Sequence, residues 1–85
     1  MTASSDDLHP TSGARFVLTR AGEAYEVLVC LPEGHELRST LAWDERGHAT
    51  LDPPLPHQGA HDETLKLARV LKRTPKERLS RWRPV

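Results

Sequence analysis

Eight cations and a tryptophan crowd the C-terminal part of this 85-residue chain: Lys66, Arg69, Lys72, Arg73, Lys76, Arg78, Arg81 and Arg83, with Trp82 among them. Guanidinium and ammonium groups neutralise phosphates or carboxylates, and an exposed indole stacks on an unpaired base. The formal net charge of zero hides how unevenly charge is spread. Residues 62–85 hold eight basic against three acidic residues, a balance of +5, whereas residues 1–61 hold four against nine, a balance of −5. Such asymmetry points to an acidic partner, a nucleic acid or a charged surface. Two blander readings stand beside these. The stripe is an ordinary solvated helix face, or it complements the negative half within one fold.

The expectation drawn from this is a non-catalytic binding module whose basic C-terminal unit contacts an acidic protein surface, or a second copy of itself through the opposed −5 and +5 segments. The alternative is a single-stranded RNA or DNA binder, with Arg73, Lys76, Arg81 and Arg83 on phosphates and Trp82 stacking. A membrane surface is disfavoured, because Leu79 and Trp82 alone bury too little apolar area to anchor the basic segment.

Other residue types offer weaker chemistry. His48, His57 and His61 lie near Asp44 and Asp52, and imidazole ligates zinc. A helix would align His57 with His61, but Gly59 lies between them, no Cys accompanies them and no HExxH is present. No metal site and no cofactor are therefore expected. Cys30, the only cysteine, sits in Val27-Leu28-Val29-Cys30-Leu31 and reads as a small hydrophobe. His35 and His48 have Glu33 or Asp44 nearby, yet the glycines stand singly at turns and no GxSxG, P-loop or GxGxxG occurs. A chain this short also builds no deep cleft. The expectation is no enzyme, no catalytic residues and no small-molecule ligand.

The elements that position these groups follow from patterning. Only 36 % of residues are hydrophobic, which is lean enough that part of the chain is expected to stay unpacked. Residues 1–13 fit that description as a disordered N-terminal tail, with Leu8 their only large aliphatic side chain. No basic start with an apolar run, and no stretch of membrane-spanning length, occurs; together with the lone cysteine this suggests a cytoplasmic protein.

Residues 14–85 read as one α+β domain, with a sheet over 15–51, a Pro-rich loop over 52–61 and helices over 62–73 and 75–82. Arg15 to Arg20 is a strand closed by the turn Ala21-Gly22-Glu23. Ala24 to Leu31 is apolar on most of both faces and belongs inside a sheet. After the turn Pro32-Glu33-Gly34, Leu37, Ser39, Leu41 and Trp43 alternate with Glu36, Arg38, Thr40 and Ala42. Asp44-Glu45-Arg46-Gly47 leads to a short strand ending at Leu51. Connections this short dictate an antiparallel β-meander of three to four strands in the order 1-2-3-4.

Two C-terminal helices (ββββαα) then complete the expected fold. The first starts near Asp62 as N-cap and turns Leu67, Ala68, Val70 and Leu71 to one side, with Lys66, Arg69, Lys72 and Arg73 opposite, together with Leu65. The second starts on a capping box, Thr74-Pro75-Lys76-Glu77, and places Leu79 and Trp82 on one face.

Overall fold

A computed structural model describes residues 12–84. The chain order is β1 (Ala14–Ala21), β2 (Ala24–Cys30), β3 (Glu36–Trp43), β4 (Ala49–Asp52), α1 (Gln58–Arg73) and β5 (Arg78–Arg83), with a 3-10 turn at Pro32–Gly34. The sheet is antiparallel throughout and runs β4-β3-β2-β1-β5. The fold is thus α+β, and the meander forms in the expected order. The disordered tail expected over 1–13 lies, for residues 1–11, outside the described residues; the Ser12 carbonyl accepts from Trp82 Nε1 at 2.9 Å, and Gly13 lies beside the indole.

Register divides every strand between two faces. Phe16 pairs with Val29, Leu18 with Val27, Tyr25 with Leu41 and Leu41 with Leu51, so these side chains share one face. On it α1 lays Ala60, Thr64, Leu67, Ala68 and Leu71, forming a continuous core. The two polar groups buried there are satisfied, since Thr64 Oγ1 donates to the Ala60 carbonyl at 2.8 Å and Ser39 Oγ to the Pro53 carbonyl at 2.6 Å. Tyr25 and Trp43 meet edge to face, with ring centroids 5.9 Å apart. The opposite face carries Arg15, Val17 and Thr19 from β1, Glu26, Leu28 and Cys30 from β2, and Arg38 and Thr40 from β3; no described helix covers it.

Three expectations are corrected. The segment assigned to a second helix over 75–82 is the strand β5, paired along β1 with Leu79 opposite Leu18 and Arg83 opposite Ala14. A segment of only eight residues makes a poor isolated helix, because nucleation fixes several dihedrals for each early hydrogen bond. Without β5, the outer edge of β1 would leave its ladder groups unpaired beside the core. Pairing there satisfies those groups and buries Leu79, which is 1 % exposed. The capping-box residues serve other purposes. The Thr74 amide closes α1 by donating to the Val70 carbonyl at 2.8 Å, and the Glu77 carbonyl accepts from the Arg20 amide at 2.8 Å.

The helix also begins earlier than Asp62, at Gln58, and the Pro-rich loop is correspondingly shorter. His57 caps it, its Nδ1 accepting from the Ala60 amide at 3.1 Å, while Asp62 lies one turn inside and accepts from Gln58 Nε2 at 2.9 Å. Finally, Val70 does not join the buried face and stays 44 % exposed. The buried set spans Ala60 to Leu71, and its centre lies roughly 100° around the helix from Val70.

Candidate binding surface

The basic residues singled out from sequence do not form one helical unit. Lys66, Arg69, Lys72 and Arg73 stand on the solvent side of α1, Lys76 lies in the α1–β5 connection, and Arg78, Arg81, Trp82 and Arg83 belong to β5. Strand alternation then splits the last group. Leu79, Arg81 and Arg83 point to the helix-covered face, whereas Arg78, Ser80 and Trp82 point to the open one.

Each flank of α1 reaches a different part of the sheet. Lys72 Nζ donates to the Gly47 carbonyl at 2.8 Å and lies over that glycine, whose φ of +81° suits the hairpin between β3 and β4. With Arg69, His48 and the Trp43 ring it borders a groove of about 250 Å³. On the other flank, Glu63 pairs with Lys66 at 3.2 Å and with Arg83 at 3.8 Å, tying the helix to the end of β5.

These are the only carboxylate contacts that the nine singled-out residues make among the described residues. Arg69, Lys72, Arg73, Lys76, Arg78 and Arg81 take no part in an ion pair there. Among the described residues the one ion pair joining the −5 and +5 segments, Arg20 with Glu77 at 3.9 Å, runs in the reverse sense, cation from the negative half and anion from the positive half. Direct pairing of the positive elements with the acidic residues of the sheet is therefore absent from the described part of the fold.

Trp82 is 43 % exposed and rests on neither Leu37, Leu41 nor Trp43, which all face the core. Its indole Nε1 donates to the Ser12 carbonyl at 2.9 Å, and its ring lies against Gly13. Arg15 stands directly opposite it on β1 and reaches Ser80 Oγ at 3.5 Å. Sequence reasoning missed Arg15 and Gly13 as neighbours of Trp82, because only the β1–β5 pairing brings them there. The one available signal was the apolar residue Leu79 between polar neighbours, the start of a two-residue alternation.

The histidines have structural duties. Besides the His57 cap, His61 Nδ1 accepts from the Leu55 amide at 3.3 Å. His48 lies 3.8 Å from the carboxylate of Asp44, whose Oδ1 accepts from the amides of His48 and Arg46, each at 2.9 Å. The His48 bond is the main cause that holds the Asp44 carboxyl below its ordinary range. Cys30 is fully buried, and burial pushes its thiol up, away from the reactive thiolate. Among the described residues no group of three or more His, Cys, Asp or Glu side chains is placed to hold a metal ion. No described helix is long and apolar enough to cross a membrane.

No protein-family model, no curated protein and no solved structure matches this chain.

Proposed function

We propose that this protein is a non-catalytic binding module whose partner is an acidic protein surface, met along the solvent side of α1 and the adjoining strand β5. One observation carries the reading: six of the eight clustered cations have no ion-pair partner among the described residues. Exposed cations of one sign raise the local concentration of anionic partners and speed their encounter. Two of the histidines, His57 and His61, spend a ring nitrogen on backbone amides.

A second reading, single-stranded nucleic acid, is favoured by the half-exposed Trp82 with Arg15 and Arg78 on the same sheet face.

An amide NMR titration separates the two. An acidic protein partner is represented by a twelve-residue Glu-rich peptide, and nucleic acid by a short single-stranded oligonucleotide, each at low and near-physiological salt. The proposal expects peptide-induced shifts over Lys66–Arg73 and Arg78–Arg83, with affinity falling about tenfold or more in Arg69→Glu/Arg73→Glu. Shifts centred on Trp82 and Arg15 with the oligonucleotide alone, surviving the higher salt, would put nucleic acid first. No shift with either ligand would refute both.

A further inference from the structure

The outer edge of β5 is the part of the basic surface with the most specific geometry. The Arg20 amide donates to the Glu77 carbonyl, which makes Arg20 and Glu77 a hydrogen-bonded pair of the β1–β5 ladder. Bonded and non-bonded pairs alternate in an antiparallel ladder. Leu79, Arg81 and Arg83 therefore spend their backbone groups on β1, and Arg78, Ser80 and Trp82 turn theirs away from the sheet. The side chains agree with that assignment. Arg81 Nη1 donates to the Ser80 carbonyl at 2.8 Å, and Arg83 Nη1 donates to the Trp82 carbonyl at 3.0 Å. Two outward acceptors of the edge are thus capped by the guanidinium of the next residue, while no described strand faces the outward amides of Arg78, Ser80 and Trp82.

We infer that this edge takes an extended segment of a partner protein, alternating acidic and apolar residues, as a sixth strand of the sheet. The mode presupposes the acidic partner proposed above and adds how it is held. A neutral strand would have to compete with two guanidinium caps for the Ser80 and Trp82 carbonyls. An acidic strand offers those guanidiniums carboxylates instead, and a bond between two opposite charges is stronger than one from a cation to a neutral carbonyl. The freed carbonyls and the outward amides then pair with the incoming backbone.

The two faces of the edge differ accordingly. Arg81 and Arg83 stand on the α1 side and would receive the acidic residues. The exposed indole of Trp82 stands on the open side and would receive the apolar ones.

A second copy fits less well. Antiparallel pairing of β5 with itself about Ser80 sets Glu77 opposite Arg83 and Leu79 opposite Arg81, but each copy brings Arg78, Arg81 and Arg83 against a single carboxylate. The far edge of the sheet is no equivalent site, since β4 has four residues and runs directly into Pro53 and Pro54.

The test uses the full chain and a twelve-residue peptide of alternating Glu and Val. Its control is the same peptide N-methylated at every second residue, which keeps the charge and blocks one edge of its backbone. The expected result is binding of the first peptide, exchange of the Ser80 and Trp82 amides slowed at least about tenfold, and affinity at least about tenfold weaker for the methylated analogue. Equal binding of both peptides without protection of those amides would overturn strand addition while leaving the acidic-partner reading intact. Binding of neither would overturn both. Protection of Ser80 and Trp82 without peptide, rising with protein concentration in step with a sedimenting dimer, would make a second copy the occupant and overturn the proposal.

Discussion

Trp82 and Gly13 are fitted to one another: the indole lies where a β-carbon on Gly13 would stand, 2.6 Å from Cζ2, and its Nε1 bonds to the Ser12 carbonyl next door. Gly13 has a φ of +71°, a conformation costly for residues with a side chain, and its missing β-carbon also leaves room for the Arg83 carbonyl. Gly22 shares the positive φ but has open space around it. Gly13→Ala should therefore destabilise by more than Gly22→Ala, whose cost is about 1 kcal/mol from backbone conformation alone. Urea unfolding of both variants, with Trp fluorescence as the probe, measures the difference.

Tyr25 ties the connection between α1 and β5 to the middle of the sheet. Its hydroxyl donates to the Lys76 carbonyl at 2.7 Å and accepts from the Lys76 amide at 3.3 Å. Tyr25→Phe removes both bonds and should cost about 1–2 kcal/mol. Amide exchange at Lys76 should quicken while that of the α1 interior keeps pace with global stability.

Val70, which helical periodicity sets on the buried face of α1, is exposed, whereas Leu79 enters the core from a strand rather than from a helix. Leu79 is packed among core residues, so Leu79→Ala should cost about 2–5 kcal/mol, a large share of the ~5–15 kcal/mol typical of a small domain. Val70→Ala should stay within about 0.5 kcal/mol. Equal effects in thermal or urea unfolding would contradict the strand assignment of β5.

Asp44 makes stability depend on acid. Its carboxyl is held below the ordinary range by the His48 and Arg46 amides, so its stabilising contribution is present at neutral pH and is lost as pH falls through that lowered value. Asp44→Asn keeps an acceptor oxygen but no charge. The gap in urea midpoint between native protein and variant should therefore be largest near neutrality and shrink on acidification.

How much of this architecture was legible beforehand differs between elements. The three hairpins follow from turn residues and alternation, and β3 reads almost residue by residue, with Ser39 on the core face among Leu37, Leu41 and Trp43. The body of α1 follows from its apolar spacing. Its start was misread because a histidine cap is a less familiar signal than Asp62, a good capping residue that happens to lie inside. β5 was misread for a different reason. Thr74, Pro75 and Glu77 are a sound local helix signal, and the interaction that overrides it is with β1, some sixty positions earlier. The cluster of cations was visible in the sequence, but its division between two sheet faces was not, because period two and period three assign Arg81, Trp82 and Arg83 to different sides.

The pairing of β5 with β1 also has a consequence in time. A nascent chain can close the first two hairpins within moments of making them, yet β1 waits for Leu79 before its other side is covered. At ~5–20 residues per second that interval is roughly 3–12 s on the ribosome. Throughout it, the stretch bearing Phe16 and Leu18 is an open strand edge, the form of surface that chaperones recognise and that neighbouring polypeptides can invade.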